Sequence, residues 1–167
     1  MSAPSIADIT KAIRNVPDFP KPGILFYDIT TLLKDAAAYR EAIDLMLEPY
    51  RGVKVDLVVG MESRGFIFSA PMARELGAGL VPVRKLGKLP HATRRASYQL
   101  EYGTDTLEIH EDAIRPGMKV VVADDVLATG GTVAAVADLL KRLGADIVEC
   151  CFLAELTDLR GRDKLKG

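Results

Sequence analysis

The 167-residue sequence has no long apolar run, almost no net charge and only two cysteines, and each shortage excludes a class of protein. No stretch approaches the roughly eighteen apolar residues that a membrane-spanning helix requires. Lysine and arginine total 22 against 23 acidic residues, and the formal net charge of −1 gives no bulk attraction to nucleic acid or to an anionic membrane. A basic cluster can still bind a small anion locally.

The two cysteines, Cys150 and Cys151, are adjacent. Neighbouring strand residues point to opposite faces of a sheet, so these two thiols are poorly placed to bond each other. We expect two small core-strand residues rather than a metal or redox centre. The first fifteen residues mix acidic and basic side chains at helical spacing and lack the apolar core of a signal peptide, which predicts a cytoplasmic protein.

The remaining composition is typical of a globular protein. Hydrophobic residues make up 49% of the chain and charged residues 27%, which excludes a disordered or fibrous class. The length fits a single domain over residues 1–167 with its own core. At the N-terminal end the patterns predict an amphipathic helix, an extended segment and a helix capped by Asp35, over residues 5–16, 21–33 and 36–50.

From residue 55 onward, short apolar runs alternate with helical patterns. The predicted strands cover residues 55–60, 80–83, 119–123 and 147–153, and the predicted helices cover residues 65–76 and 132–143. This alternation predicts an α/β domain with a mainly parallel sheet. Residues 97–110 interrupt it with the pattern of an antiparallel hairpin, whose polar turn lies at residues 103–105.

Residues 120–132, VVVADDVLATGGT, carry the strongest chemical signal. An apolar strand brings Asp124 and Asp125 to its carboxyl end, where parallel sheets bind ligands. The following helix start offers backbone N–H groups and a favourable dipole for a phosphate. We expect Gly130 and Gly131 to take positive φ and to let the backbone approach the anion.

Aspartates cannot face a phosphate directly, so Asp124 and Asp125 indicate sugar hydroxyls or a magnesium-organised ligand beside it. Ribose 5-phosphate meets both requirements. The spacing of the glycines matches neither the dinucleotide fingerprint GxGxxG nor the Walker loop GxxxxGK(S/T). Asp-Asp or Gly-Gly alone would indicate only a turn, but the whole ordered string after a buried strand favours a binding site.

This string resembles the 5-phosphoribosyl 1-diphosphate (PRPP) motif of the type I phosphoribosyltransferases. Four further segments narrow the resemblance to the adenine phosphoribosyltransferases: FPKPGILF at 19–26, GMESRGF at 60–66, VRKLGKLP at 83–90 and LEYG at 100–103. The resemblance implies a mainly parallel central sheet flanked by helices. It also implies a small N-terminal hood at about residues 1–34, a lid hairpin at about residues 86–113, and a homodimer.

The implied reaction converts adenine and PRPP to AMP and pyrophosphate, with Mg2+ bound mainly through PRPP and with no direct protein ligand. The residues implied for the phosphoribosyl group are Asp124, Asp125, Ala128, Thr129, Gly130, Gly131 and Thr132. Those implied for pyrophosphate are Glu62, Ser63, Arg64, Arg84 and Lys88. The first three form a loop where the family often has a cis peptide bond. Those implied for adenine are Leu25, Phe26, Tyr27 and Leu127.

The resemblance also implies catalytic roles for Glu101 and Tyr102, together with Asp124 and Asp125. Glu101 would manage the proton of the base if burial raises its pKa, and Tyr102 would lie near the reacting centre. An exposed charge on a hairpin is the competing interpretation of Glu101. Many relatives carry arginine where this chain has Tyr27, so base recognition there would use the backbone.

Other interpretations remain open at this point. A hypoxanthine, guanine or xanthine transferase would share the PRPP motif but would need hydrogen-bond donors where adenine needs acceptors. A PRPP-binding regulator without catalysis would share the fold, although such a protein predicts a basic surface or a DNA-binding domain. The chain stops at Gly167, before the apolar final strand that relatives carry, so we expect stability or assembly to suffer before chemistry does.

Overall fold

The computed structural model describes residues 6–99 and 104–165. The chain separates into two compact units, Met1–Pro49 and Tyr50–Gly167. The first is longer than the hood predicted at residues 1–34, and the single-domain organisation stays a prediction. No helix in the described residues is both long enough and apolar enough to cross a bilayer.

The first unit consists of helices around a two-stranded sheet. Its elements are α1 (Ile6–Ala12), β1 (Arg14–Pro17), β2 (Leu25–Asp28), α2 (Thr30–Leu33) and α3 (Ala36–Leu47), followed by a 3₁₀ turn at Glu48–Tyr50. β1 and β2 are antiparallel, with Val16 opposite Phe26. Asp35 caps α3 as predicted, because its Oδ1 accepts hydrogen bonds from the amides of Ala37 at 2.9 Å and Ala38 at 3.0 Å.

Two sequence predictions for this unit are wrong. The helix predicted to reach Val16 ends at Ala12, because residues 14–17 pair with β2 and this pairing overrides the helical periodicity. The extended segment predicted to reach residue 33 turns into helix α2. Asp28 starts that helix by accepting a hydrogen bond from the amide of Thr30 at 2.9 Å, and burial of Leu32 stabilises it.

The second unit contains a six-stranded sheet with helices packed against it. Its main elements are β3 (Leu57–Met61), α4 (Gly65–Leu76), β4 (Gly79–Lys85), β5 (Thr93–Gln99), β6 (Thr104–His110), β7 (Lys119–Leu127), α5 (Gly131–Arg142) and β8 (Asp146–Glu155). Two 3₁₀ turns, Thr157–Leu159 and Gly161–Leu165, follow β8. The strand order is β5-β6-β4-β3-β7-β8. Strands β4, β3, β7 and β8 are parallel, which confirms the predicted α/β class.

Strands β3 and β7 are apolar because helices cover the sheet. Val58 and Val59 of β3 are fully buried, and so are Val121 and Val122 of β7. From α4, Phe68 and Met72 pack into the interior, and α5 contributes Val133, Val136, Leu139 and Leu140. The core therefore holds the carboxyl ends of the strands in fixed positions.

β7 is longer than the sequence predicts. It continues past Ala123 to Leu127, because its last residues pair with β8, where Leu127 lies opposite Glu155. Asp124 and Asp125 are therefore strand residues rather than the first residues of a loop. Cys150 and Cys151 lie on β8 as half-buried thiols that form no disulfide, and burial raises the pKa of each to about 11.

The hairpin also begins earlier than predicted, at Thr93 rather than residue 97. Its base is fixed in the core by the buried side chains of Ala96, Leu107 and Ile109. Gly103, in the predicted turn, lies outside the described residues, as do Leu100, Glu101 and Tyr102.

Candidate active site

Three loops follow the carboxyl ends of β3, β4 and β7 at one edge of the sheet. We name them the arginine loop (residues 62–64), the basic loop (residues 84–89, including the last two residues of β4) and the glycine loop (residues 128–130). The strands are parallel neighbours, so their carboxyl ends meet at one edge, where α/β proteins bind ligands. These loops contain all of the residues predicted to bind pyrophosphate and three of those predicted to bind the phosphoribosyl group.

The glycine loop borders a pocket of about 80 Å³. Gly130 has a φ of 76°, a left-handed conformation that favours glycine, and α5 begins at the next residue. The expectation of positive φ therefore holds for Gly130, whereas Gly131 is the first residue of the helix. The sequence-predicted residues that line the pocket are Asp124, Leu127, Ala128, Thr129, Gly130 and Thr132.

A second glycine supports the loop from behind. A Cβ atom on Gly130 would overlap the carbonyl oxygen of Gly161, and a Cβ on Gly161 would overlap the carbonyl oxygen of Ala128. The amide of Leu156 also donates to the carbonyl of Leu127 at 2.9 Å. The segment after β8 therefore fixes the backbone of the glycine loop. Sequence reasoning missed Gly161, because one glycine near a chain end carries no signal of a close backbone approach.

The acidic pair lies beside this pocket. Asp124 lines it, whereas Asp125 is 3% exposed and pairs with the Arg64 guanidinium, at 2.8 Å between Oδ2 and Nε. The amide of Asp125 donates to Asp124 Oδ1 at 2.9 Å. Burial, with the Asp125 carboxylate as the next cause, raises the pKa of Asp124 above its usual range. A Cβ on Gly65 would lie 2.7 Å from Asp124 Oδ1, so the start of α4 must be glycine to pack here.

The arginine loop joins β3 to α4. Its Glu62–Ser63 peptide bond is cis, as the family resemblance implied for this loop. The amide of Glu62 donates to the carbonyl of Val83 at 2.9 Å, which ties the loop to β4. Ser63 and Arg64 are exposed, and Arg64 reaches across to Asp125. This loop therefore contacts the strand that carries the acidic pair.

The basic loop is held at its start by Glu62. The Glu62 carboxylate accepts from the Lys85 amide at 3.0 Å and from Arg84, at 3.2 Å for Nε and 3.3 Å for Nη2. Arg84 Nη1 donates to the Lys88 carbonyl at 3.2 Å. The hydrogen bond from the Lys85 amide, aided by Arg84 and opposed by burial, lowers the pKa of Glu62. Two residues predicted to bind pyrophosphate, Glu62 and Arg84, therefore bind each other and shape the loop.

The end of the basic loop is held by Glu108, which sequence reasoning missed. Its carboxylate accepts hydrogen bonds from the amides of Lys88 at 3.0 Å and Leu89 at 3.1 Å. The Lys88 side chain is exposed, and the Lys85 ammonium pairs with Asp105 at 3.4 Å. An acidic residue between two buried strand residues, Leu107 and Ile109, was the available signal.

The predicted adenine-binding residues lie on two different elements. Leu25, Phe26 and Tyr27 belong to β2 of the first unit, where the ring of Phe26 packs edge-on against Phe19 at a centroid distance of 5.1 Å. Leu127, on β7 of the second unit, is buried and lines the pocket. The predicted catalytic residues Glu101 and Tyr102 lie outside the described residues.

The acidic groups do not form a metal cage. Within the described ranges, no group of three or more His, Cys, Asp or Glu side chains is arranged to hold a metal ion. Asp125 already pairs with Arg64, and Asp124 alone presents a carboxylate to the pocket. This donor set suits an oxygen-bound cation that arrives with its ligand, since Mg2+ usually keeps substrate and water oxygens in its coordination shell.

A family model for the phosphoribosyl transferase domain matches residues 28–166. It spans the six-stranded sheet, the acidic pair and all three loops. The fold is therefore that of a phosphoribosyltransferase, and the chain belongs to this class.

Individual relatives narrow this class. The chain is 61% identical to the adenine phosphoribosyltransferase of Syntrophotalea carbinolica over 95% of this chain and 92% of that protein. It is 53% identical to the crystal structure of adenine phosphoribosyltransferase from Rhodothermus marinus, with a TM-score of 0.92 over 97% of this chain and 92% of that one. It is 41% identical to the Saccharomyces cerevisiae enzyme, with a TM-score of 0.92 over 97% of this chain and 94% of that one. That crystal structure contains D-2,5-dideoxy-2,5-imino-altritol 1,6-bisphosphate and adenine. The chain belongs to the adenine phosphoribosyltransferase family, which confirms the resemblance drawn from its sequence.

Proposed function

We propose that this chain transfers the 5-phosphoribosyl group of PRPP to adenine and releases AMP and pyrophosphate. One observation carries the proposal: a glycine loop, an acidic pair and two cationic loops share one edge of the sheet. PRPP has a phosphate, vicinal hydroxyls and a diphosphate in that order. The site offers a group suited to each of these parts.

The glycine loop and the acidic pair would hold the ribose 5-phosphate. Backbone amides at the start of α5, with the hydroxyls of Thr129 and Thr132, suit the phosphate. Asp124 and Asp125 would accept hydrogen bonds from the ribose hydroxyls. Because Gly161 supports the loop from behind, the phosphate site is formed before the ligand arrives. A preformed site reduces the cost of positioning the sugar for reaction.

The arginine and basic loops would hold the diphosphate. Ser63, Arg64 and Lys88 expose polar or cationic groups at the same edge, while Glu62 and Arg84 stabilise the loop beside them. Pyrophosphate develops negative charge as it leaves, and cations fixed in position stabilise that charge. Mg2+ bound to PRPP would supply further neutralisation.

For adenine, the family resemblance implies one aromatic side chain and one aliphatic side chain. Phe26 offers a ring face for stacking, and Leu127 offers an apolar surface. The backbone groups of Leu25 and Tyr27 would recognise the hydrogen-bonding edge of the base. Glu101 and Tyr102 remain the proposed residues for the base proton and the reacting centre. The residues around them would act as a lid that excludes water from the ribose C1.

We also propose that the protein is a cytoplasmic homodimer. Cys150 and Cys151 form no disulfide, which is compatible with a reducing compartment. Leu80 and Leu86 expose large apolar side chains on and just after β4, and these suit a subunit contact. Light scattering of the purified protein measures the assembly directly. A mass of one chain at micromolar concentration would contradict the dimer.

The reaction is tested by measuring nucleotide formation from PRPP with adenine, hypoxanthine and guanine in separate assays. We expect AMP and pyrophosphate in equal amounts with adenine, at least about 100-fold less product with the other bases, and loss of activity with a chelator. Equal or faster use of hypoxanthine would contradict the base assignment. Pyrophosphate release from adenine and PRPP at the level of the enzyme-free blank would instead favour a PRPP-binding regulator.

A further inference from the structure

We propose that Glu108 is a positioning residue for the leaving group, which holds the basic loop so that Lys88 faces the pyrophosphate. This inference rests on the proposed function, because it takes Lys88 as a pyrophosphate ligand. It adds a residue from β6, a strand that contributes no other predicted site residue among those described.

The contacts of Glu108 are directed at the loop. On the sheet it lies opposite Arg84, yet its side chain reaches the residues that follow β4. Oε1 accepts from the amides of Lys88 at 3.0 Å and Leu89 at 3.1 Å. Oε2 accepts from the Thr93 hydroxyl at 3.3 Å and lies 3.5 Å from Arg95 Nε. One carboxylate thus joins the loop to the first residues of β5.

Glu108 is buried, yet its hydrogen-bond partners favour the charged carboxylate. Only 1% of the residue is exposed, and burial by itself raises the pKa of a carboxyl group. The amides of Leu89, Lys88 and Gly87 and the Thr93 hydroxyl oppose burial, and together they hold the pKa of Glu108 below its usual value. Arg95 is mostly exposed, so the loop amides are the principal partners. A buried charge with such partners loses much stability when the partners move.

Glu108 and Glu62 hold opposite ends of the same loop. Glu62 binds the Arg84 side chain and the Lys85 amide, and Glu108 binds the Lys88 and Leu89 amides. The Lys88 side chain projects from the part that Glu108 fixes. Loss of Glu108 therefore releases Lys88 without removing any cation from the site, and this distinguishes positioning from direct binding.

Glu108→Gln and Glu108→Ala test the proposal. Gln keeps one oxygen that accepts from both loop amides, whereas Ala removes the acceptor. We expect Glu108→Ala to raise the KM for PRPP and the Kd for magnesium pyrophosphate roughly tenfold, and Glu108→Gln to recover most of this loss. The affinity for AMP, measured by calorimetry, should change less than about twofold, because AMP has no pyrophosphate.

A matched control is Glu111→Ala. Glu111 follows β6, is exposed and pairs with Arg94 at 3.3 Å. Among the described residues it accepts no hydrogen bond from the basic loop, so we expect wild-type affinities for both ligands. Equal losses of AMP and pyrophosphate affinity in Glu108→Ala would overturn the proposal in favour of general fold support. So would unchanged pyrophosphate affinity. If Glu108→Ala fails to fold, Thr93→Val and Glu108→Gln decide the question. The proposal is supported if Thr93→Val loses the pyrophosphate affinity expected for Glu108→Ala while Glu108→Gln binds pyrophosphate like wild type. It is contradicted if Glu108→Gln loses as much affinity for AMP as for pyrophosphate.

Lys88→Ala separates this inference from the function on which it rests. If Lys88→Ala leaves pyrophosphate affinity unchanged, the assignment of Lys88 fails, whatever Glu108 does. If Lys88→Ala weakens pyrophosphate binding and Glu108→Ala does not, the positioning inference alone fails. In the double variant we expect no further loss beyond Lys88→Ala, because Glu108 acts through Lys88.

Discussion

The glycine loop and the basic loop lie at the same edge of one sheet but are built in opposite ways. In the glycine loop, backbone touches backbone, and the close approach of Gly130 and Gly161 leaves no room for a side chain. In the basic loop, exposed cationic side chains project from a backbone that Glu62 and Glu108 hold by hydrogen bonds. One loop is fixed by steric contact and the other by charge.

This difference matches the two ends of the proposed ligand. A terminal phosphate is small and stays on the product, so a rigid ring of amides suits it. Pyrophosphate must be bound tightly as it forms and then released. Cations on a loop held by hydrogen bonds suit that requirement, since such a loop can open at moderate cost. Substitutions in the two loops should therefore have different sizes and different ligand dependence.

The largest expected effect comes from Gly130→Ala. The new Cβ meets the Gly161 carbonyl, and the positive φ alone costs about 1–2 kcal/mol. We expect kcat/KM to fall at least about 1,000-fold and the melting temperature to drop. The control is Gly52→Ala, where φ is 78° and the space around the Cβ is open. Gly52→Ala should lose stability because of its positive φ but keep its activity. An equal loss of activity in both variants would contradict the steric account.

Asp124→Asn tests the acidic pair beside the glycine loop. The raised pKa of Asp124 means that the folded protein holds this proton more tightly than the unfolded chain does. The resulting stability is complete below the unfolded pKa of about 4 and is lost as pH rises through the folded pKa. Asn removes this loss. We expect a higher melting temperature than wild type at pH 8 and none of this gain below pH 4, with activity reduced on the order of 100-fold.

The melting temperatures of Asp124→Asn and wild type can be compared by differential scanning fluorimetry across this pH range. If wild type and variant have the same melting temperature at pH 8, burial and the Asp125 carboxylate do not disfavour the charged form of Asp124. Since Asn still accepts from the Asp125 amide, the comparison preserves the 2.9 Å hydrogen bond.

A smaller effect is expected from Glu62→Ala in the basic loop. It frees the Arg84 side chain and the Lys85 amide, and we expect the KM for PRPP to rise roughly tenfold while kcat changes less. Asp56→Ala is the control, because Asp56 also accepts from a strand amide, that of Lys119 at 2.8 Å, before the start of β3. That control should lose stability without a change in KM. A KM for PRPP that is unchanged by Glu62→Ala would mean that the loop does not depend on this carboxylate.

Lys85→Ala should have the smallest effect. Its ammonium pairs with Asp105 near the start of β6, and the side chain is largely exposed. Exposed ion pairs contribute between zero and about 1 kcal/mol, so we expect little change in unfolding free energy and less than about a threefold change in the KM for PRPP. Steady-state kinetics beside Lys88→Ala measure the contrast. Equal losses in the two variants would contradict the separate roles of these neighbouring lysines.

The sequence predicts the glycine-loop half of the site more completely than the other half. The string from Val120 to Thr132 is continuous, so one apolar strand and the Gly-Gly pair indicate its position directly. The alternation of strands and helices likewise predicts the α/β fold, because the apolar periodicity of each element can be read within its own segment. The errors in this half are small: β7 extends to Leu127, and positive φ occurs at Gly130 alone.

What the sequence did not reveal depends on contacts between distant residues. Glu62 and Arg84 are 22 residues apart, and Glu108 meets the Lys88 amide across 20 residues. Gly161 approaches Ala128 only because β8 returns the chain to the carboxyl end of β7. The helix predicted through Val16 failed for the same reason, since strand pairing with Phe26 outweighs local periodicity. Local sequence patterns do not predict contacts between such distant residues.

The division of the ligand between the two loops is tested most directly by binding two halves of PRPP to two variants. Calorimetry would measure ribose 5-phosphate and magnesium pyrophosphate against wild type, Gly130→Ala and Lys88→Ala. We predict that Gly130→Ala loses ribose 5-phosphate and retains pyrophosphate, whereas Lys88→Ala does the reverse. Loss of both ligands in both folded variants, or of neither ligand in either variant, would contradict the account.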